Sequence, residues 1–461
     1  MRRWLGPLWL AAVVLAIYLP DVGQGFIKDD FAWIQSSRLA SAADVWGYVA
    51  RPASGFFRPV VALSFGIDEI LFGLHPLGYG LTNLALVGLC AAGIWRLAAA
   101  LGLAPAARLI AAAIWALNFH GINMAVLWIS GRTALLVCAG AVWAADALLR
   151  RRPIAAGVLA GAAMLSKEEA VALPVIFAVW LAIRPASADA DAAAPAGASR
   201  WRRVATGTWP TWIALAIYAL LRLRTSAMTF ATAPGVYQAR VDAMRFVDNM
   251  LEYLDRSSTG AVAVALAACL MAWRWPRLDA PSRRTLAMAA AWFAGLFAIT
   301  VWLPVRSSLY AVTPAVAPAI AAALVVSRIW DGVGTGGQGR QRWAIVLALG
   351  LPIALWPIYH LRNQRLANEA RLSAATLRTI APLRDASPPI AGLVVVDDQR
   401  VRPSLYQAFG PHLPDAVALT LGRSIPVSLD NTPDAALARA IVSGPGTRRF
   451  RLENGALRAA P

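Results

Sequence analysis

The stretch Phe26-Ile27-Lys28-Asp29-Asp30-Phe31-Ala32-Trp33 follows the first apolar segment of the chain, and its placement decides how the rest is read. Two adjacent carboxylates and a lysine sit where a membrane helix should leave the bilayer on its far side. Charge at a bilayer surface costs little, so a solvated loop is the bland explanation. A catalytic acid pair at the mouth of a transmembrane enzyme is the other. The surrounding sequence favours the second.

Of 461 residues, 59% are hydrophobic, and mean hydropathy is +0.56. Such a chain is a polytopic α-helical membrane protein, not a soluble globule. A net charge of +18 would suggest nucleic acid as partner in a soluble protein. Here loop bias explains it, and no nucleic acid is expected. Cys90, Cys138 and Cys269 all fall inside apolar segments, which argues against a disulfide framework. The four histidines, His75, His120, His360 and His412, show no metal-ligand spacing. Residues 1–20 resemble a signal peptide, but Leu19-Pro20-Asp21 offers no small-x-small cleavage site, so an uncleaved first helix is expected.

Apolar stretches long enough to cross a hydrocarbon layer of about 30 Å recur near 4–20, 78–100, 106–120, 131–149, 154–166 and 168–184. Five more occur near 206–222, 258–274, 285–303, 307–327 and 343–359, giving about 11 transmembrane helices. Arginine then decides the orientation. Arg2/Arg3, Arg96/Arg108, Arg150–Arg152, Arg184–Arg203, Arg274–Arg284 and Arg328–Arg342 fall on the side of the N-terminus. That side is therefore cytoplasmic by the positive-inside rule, and the protein is expected in a bacterial inner membrane. The large first loop 21–77, the loop 223–257 and the tail after 360 face outward. Residues 57–72 are apolar but short and polar-flanked, which suits a helix lying in the interface. Residues 185–199 and 332–339 read as linkers. A transmembrane domain 1–359 is expected, followed by a small outer α/β domain at 360–461. Within it Leu393-Val394-Val395-Val396 reads as a buried strand, and Asp397-Asp398 as its closing turn.

Of 43 basic residues, all but Lys28 and Lys167 are arginine, and each lysine directly precedes an acidic pair, Asp29-Asp30 and Glu168-Glu169. A chain that prefers arginine so strongly keeps lysine where a compact, rotatable ammonium suits phosphate better than a planar fork. Asn83, His120, Asn123, Arg132, Arg306 and Tyr310 collect at the same outer ends. Any one of them could snorkel to the interface. Their convergence on one face marks a ligand path, since each ionisable group costs about 2.5–3.5 kcal/mol at mid-membrane.

These residues carry a resemblance. Lys28-Asp29-Asp30-Phe31, Phe57-Arg58-Pro59-Val60-Val61 and Gly78-Tyr79-Gly80-Leu81-Thr82-Asn83-Leu84 resemble the GT-C superfamily of membrane glycosyltransferases. Trp128-Ile129-Ser130-Gly131-Arg132, Leu165-Ser166-Lys167-Glu168 and Arg306-Ser307-Ser308-Leu309-Tyr310 come later, in the same order. The likeness covers roughly residues 1–330 and is nearest the protein O-mannosyltransferases and their tetratricopeptide-repeat relatives. The tail has no tetratricopeptide pattern, and Arg306 lacks the acidic residue that often precedes it in that branch. The resemblance implies inverting transfer of a sugar from a polyprenyl-phosphate donor to a hydroxyl on the outer face. The acceptor would be a protein or an envelope glycan or lipid. The first outer loop would carry the catalytic carboxylate, here Asp29, with Asp30 beside it. A carboxylate can take the acceptor's proton, and neighbouring carboxylates raise one another's pKa. Arg58, Lys167, Arg132 and Arg306, with Lys28, are the cations available for the lipid phosphate, and Asn83, Glu168 and Tyr310 complete the expected binding set. Asp29 and Asp30 could chelate a divalent metal, yet spacing supplies no third ligand.

A transporter or lipid-carrier flippase is the alternative, using the same outer charges as a binding site. It should keep charges mid-span and inverted repeats, whereas here charges sit at helix ends and no repeat is found. A non-catalytic scaffold would have no need of the carboxylate pair.

Overall fold

The structure, a computed structural model, describes residues 5–39, 43–50, 55–185, 196–229, 232–273, 275–332, 337–397, 402–430, 446–453 and 456–459. Helices come first: α1 (Leu5–Tyr18), α2 (Asp30–Ser36), α3 (Ala43–Ala50), α4 (Pro59–Phe72), α5 (Pro76–Ala100), α6 (Pro105–Ala116), α7 (Ile122–Leu127), α8 (Arg132–Leu149), α9 (Pro153–Met164) and α10 (Leu173–Ile183). Then come α11 (Ala196–Leu223), α12 (Ala243–Ala272), α13 (Ala280–Phe297), α14 (Val316–Gly332) and α15 (Gly337–Ile380). The C-terminal part adds β1 (Gly392–Val396), α16 (Leu405–Phe409), α17 (Leu413–Leu421), β2 (Val427–Asp430), β3 (Thr447–Glu453) and β4 (Ala456–Ala459).

Each expected apolar stretch coincides with a helix. Among the described residues, four segments are long and apolar enough to cross a membrane: Pro76–Ala100, Ile129–Leu149, Arg200–Leu223 and Ala243–Ala272. Shorter apolar helices occupy Leu5–Asp21, Pro105–Ala116, Pro153–Met164 and Val316–Trp330. Proline sets many of the starts. Pro59, Pro76, Pro105 and Pro153 stand in the first turn, where the missing N–H would have no partner anyway. Asp242 and Asp279 cap α12 and α13 by accepting from the backbone N–H of Met244 and Ser282. That side-chain cap lets α12 begin at Ala243, well before the apolar run at 258.

Two boundaries differ from the sequence reading. The expected border at 359/360 falls inside α15, because residues 360–380 contain neither Gly nor Pro to stop it. Much of the two expected linkers, 186–195 and 333–336, lies outside the described residues, and their C-terminal ends already belong to α11 and α15.

The single expected strand is one of four. The sheet runs β2-β1-β3-β4, with β1 parallel to both neighbours and β3 antiparallel to β4. The fully buried run Leu393-Val394-Val395 takes the central place, as a β-branched run covered on both sides should. Asp397 comes directly after the strand and accepts from the Leu405 N–H at the start of α16; Asp398 lies outside the described residues.

This sheet layer shares one core with the first long loop, 21–77. Phe31, Trp33, Phe65 and Tyr79 are buried in the same apolar cluster as Leu393, Phe409, Leu413 and Val417. Phe31 stacks on Phe409 at 5.7 Å between ring centroids, and Trp33 on Phe65 at 5.9 Å. The loop that carries the acid pair is thus clamped between the helical bundle and the C-terminal layer.

Candidate functional site

The backbone at Lys28 adopts φ near 54°, which a residue with a Cβ enters at a cost of about 1–2 kcal/mol. Its neighbours hold it there. The Lys28 N–H donates to the Ala408 carbonyl at 2.8 Å, and Nζ pairs with the buried Glu369 carboxylate of α15 at 2.7 Å. The turn also lies hard against α15, where a Cβ at Gly25 would collide with the Ala370 carbonyl oxygen.

That turn points the two aspartates differently. Asp30 is fully buried and its oxygens are taken. Oδ2 accepts from the Ile27 N–H at 2.8 Å, and Oδ1 accepts from the Ser130 N–H at 2.7 Å and from the Ser130 hydroxyl. Burial and then the neighbouring Asp29 charge push its pKa up to about 7, against those hydrogen bonds. Asp29 keeps a buried Oδ1 with no hydrogen-bond partner among the described residues. Burial raises its pKa too, while His412, Ser130 and Trp128 pull the other way. Asp30 ties the loop down; Asp29 has an oxygen to spare.

The cations do not all converge. A cavity of about 250 Å³ is lined by Arg58, Lys167, Glu168, Glu169, Arg222, Tyr237 and Tyr310, among others. Arg58 grips Glu168 with two nitrogens, at 2.8 and 3.2 Å, and Arg222 approaches the same carboxylate at 3.5 Å. Lys167 pairs with Glu169 at 3.0 Å beneath the Tyr310 ring, whose centroid lies 4.5 Å from Nζ. Three cations face two carboxylates, leaving one positive charge in excess. Tyr237 lines this cavity. Burial raises its phenol pKa, Arg58 lowers it, and the charges of Asp29 and Glu168 raise it again.

Four expected binding residues do not line that cavity. Arg132 is wholly buried and spends every nitrogen: 2.6 Å to Asp68, 3.1 Å to the Asn83 side-chain oxygen, and 3.0 and 3.2 Å to the Tyr79 and Ser64 carbonyls. Asn83 donates to the Ala125 and Ile129 carbonyls. Together they lock α4, α5, α7 and α8, because a buried guanidinium must find partners for all its donors. Arg306 is held by Asn249 at 2.7 Å and Glu252 at 2.9 Å on α12, and Lys28 by Glu369. Asp146 sits near the C-terminal end of α8 between Arg96 at 3.2 Å and Arg150 at 2.7 Å. Conversely, Arg222 and Tyr237 are missing from the sequence reading, and Glu169 enters it only as half of an acidic pair. Arg222 stands at the C-terminal end of the apolar stretch 206–222, and that position could have found it. Tyr237 had no signal.

Among the described residues, no group of three or more His, Cys, Asp or Glu side chains could hold a metal ion. A larger groove of about 950 Å³ between α1, α5 and α6 is apolar but for Arg96.

No protein-family model matches the chain, and no curated protein matches it. Solved structures do. ArnT from Cupriavidus metallidurans bound to undecaprenyl phosphate aligns over 97% of this chain and 93% of its own, at 14% identity and a TM-score of 0.50. The oligosaccharyltransferase AglB from Archaeoglobus fulgidus, in complex with an inhibitory peptide and a dolichol-phosphate, aligns over 98% of this chain and 69% of its own, at 12% identity and a TM-score of 0.53. At these identities the likeness is one of fold: the chain shares the architecture of ArnT and AglB. The expected GT-C resemblance agrees with that likeness at the level of architecture.

Proposed function

We propose that the chain is a membrane glycosyltransferase that moves a sugar from a polyprenyl-phosphate donor to a hydroxyl acceptor at the outer face. The acceptor is a protein or an envelope glycan or lipid. One observation carries the reading: a cavity lined by three cations, Arg58, Lys167 and Arg222, lies in the same fold as a buried Asp29 oxygen that no described hydrogen bond uses. Lipid-phosphate binding in ArnT and AglB, which share the fold, supports the donor class. In this reading Asp29 takes the hydroxyl proton as the acceptor oxygen bonds to C1 of the sugar. The C1–O bond to phosphate breaks on the opposite face, its electron pair leaving with the lipid phosphate. A sugar phosphodiester carries one negative charge and the released lipid phosphate more. The single excess cation among Arg58, Arg222 and Lys167 suits the first, and their extra N–H donors stabilise the second. Arg132 and Asn83 act as positioning residues, and Tyr310 packs Lys167 in place.

Incubating the purified protein with polyprenyl-phosphate sugars, one at a time, should show one of them losing its sugar. Lys167→Arg should then lower turnover of that donor about tenfold, since one charge-assisted hydrogen bond is worth about 1.5 kcal/mol or more. An inert panel would overturn the reading. A fully active Lys167→Arg would remove only the role given to the ammonium.

The reading also requires 11 spans with the N-terminus cytoplasmic. Helix α4 fits the interface, because Ile67, Ile70 and Leu71 are exposed while Asp68 is turned inward to Arg132. Reporter fusions after residues 50, 225 and 380 should read outside, and those after 190 and 335 inside. Opposite readings at 50 and 380 would break the span count.

A further inference from the structure

The cation-lined cavity also contains a hydroxyl that no described residue uses. Thr300 is one of its lining residues, is only 3% exposed, and has an Oγ1 with no hydrogen-bond partner among the described residues. The short turn that carries it, Thr300–Trp302, is pinned from several sides. The buried Asn249 side chain of α12 donates to the Val301 and Leu303 carbonyls at 2.7 and 3.0 Å, and Arg306 in turn holds Asn249 at 2.7 Å. The Arg240 N–H donates to the Trp302 carbonyl at 3.1 Å, and the Leu303 N–H closes the turn on the Thr300 carbonyl at 3.2 Å. The backbone is thus fixed while the hydroxyl is left over. A buried hydroxyl without a partner is destabilising, so a fold that keeps one beside a cavity needs a reason.

The other polar groups lining the cavity point to what that reason is. Lys167 faces Glu169 at 3.0 Å, Arg58 grips Glu168 at 2.8 Å, and the Thr229 hydroxyl is shared with Thr232 at 3.1 Å. A lipid phosphate already has cations to meet it. Thr300 is different: a neutral group that both donates and accepts, flanked in the cavity lining by apolar Ile299 and Leu303. One isolated polar group in an apolar wall fixes the orientation of an uncharged ligand. A sugar ring fits such a wall, because it presents hydroxyls to Thr300 and C–H faces to the apolar side chains.

We propose that Thr300 is a specificity-determining residue whose hydroxyl binds a ring hydroxyl of the donor sugar, held in the cavity next to its phosphate. The inference rests on the reading of the donor as a polyprenyl-phosphate sugar, but binding tests it without any transfer. The full-length protein in detergent would be titrated with polyprenyl phosphate alone and with polyprenyl phosphate bearing a hexose, an N-acetylhexosamine or a pentose. In the wild type one of the sugar lipids should bind more tightly than the bare lipid phosphate. Thr300→Val, nearly isosteric, should weaken that sugar lipid about tenfold, the size of one hydrogen bond lost in a buried site. It should leave the bare lipid phosphate unchanged, and Thr300→Ser, which keeps the hydroxyl, should bind the sugar lipid nearly as the wild type does. Without donor, Thr300→Val should melt higher than the wild type, because an unpaired buried polar group is gone. A lower melting temperature would overturn the proposal by showing that the hydroxyl serves the fold. So would equal losses for sugar lipid and bare lipid, unchanged affinity for every sugar lipid, or a wild type that prefers none of them to the bare lipid. If no donor is turned over but Thr300→Val loses affinity for the sugar lipid alone, the sugar contact stands and only the transferase reading falls. If a donor is turned over and Thr300→Val binds it as the wild type does, the transferase reading stands and this inference falls.

Discussion

Asp29→Asn should lose transfer by about 10²–10⁴-fold, the range attributed to general base catalysis, while donor binding and folding survive. The amide is nearly isosteric, cannot accept a proton at neutral pH, and replaces an oxygen that no described hydrogen bond uses. Asp30→Asn should fail differently. An amide accepts through one oxygen only, so its NH₂ must face the N–H of either Ile27 or Ser130. The loop should loosen, and both activity and melting temperature should fall. The pH profile separates base from loop as well. Because burial raises the Asp29 pKa, the rate should fall on the acid side at a midpoint above the usual value of about 4. Wild-type turnover in Asp29→Asn would sink the assignment. Equal rate losses at both positions with unchanged stability would favour a proton shared between the two.

How far the sequence could have led is visible in these two aspartates. Their location was readable, since charge after an apolar span on the arginine-poor side leaves few alternatives. Their division of labour was not. It depends on Ser130, which lies 100 positions away in sequence and meets Asp30 only once the helices pack. Apolar stretches likewise located the helices, while the side-chain caps of Asp242 and Asp279 set starts that hydropathy cannot see. The lysine bias led to two different environments. Lys167 lines the cavity, whereas Lys28 braces a left-handed turn against Glu369. A lysine paired with a near neighbour and one paired across the fold look alike in sequence, because the partner of Lys28 arrives 341 residues later whereas that of Lys167 is Glu169. The same blindness made Arg132 and Arg306 look like ligands for phosphate.

Arg132 gives the sharpest distinction between a ligand-binding and a structural cation. Its guanidinium is fully buried, pairs with Asp68 at 2.6 Å, and lies over the Phe65 ring at 4.4 Å. Replacing it with Met keeps the volume near that of the stem but strands the Asp68 carboxylate, to which Thr82 remains the one described hydrogen-bond donor. Breaking a buried pair in this way costs about 3–5 kcal/mol. Arg132→Met should therefore lower the unfolding free energy in detergent by about that amount, with activity lost because the fold is lost. Adding Asp68→Asn to Arg132→Met should recover much of the stability, since the stranded charge is gone, and the double-mutant cycle would measure the coupling. A residue that served the donor would behave in the opposite way. Arg132→Met would fold as well as wild type, donor use would collapse, and Asp68→Asn would rescue nothing. That outcome would return Arg132 to the binding site and leave its buried contacts as incidental.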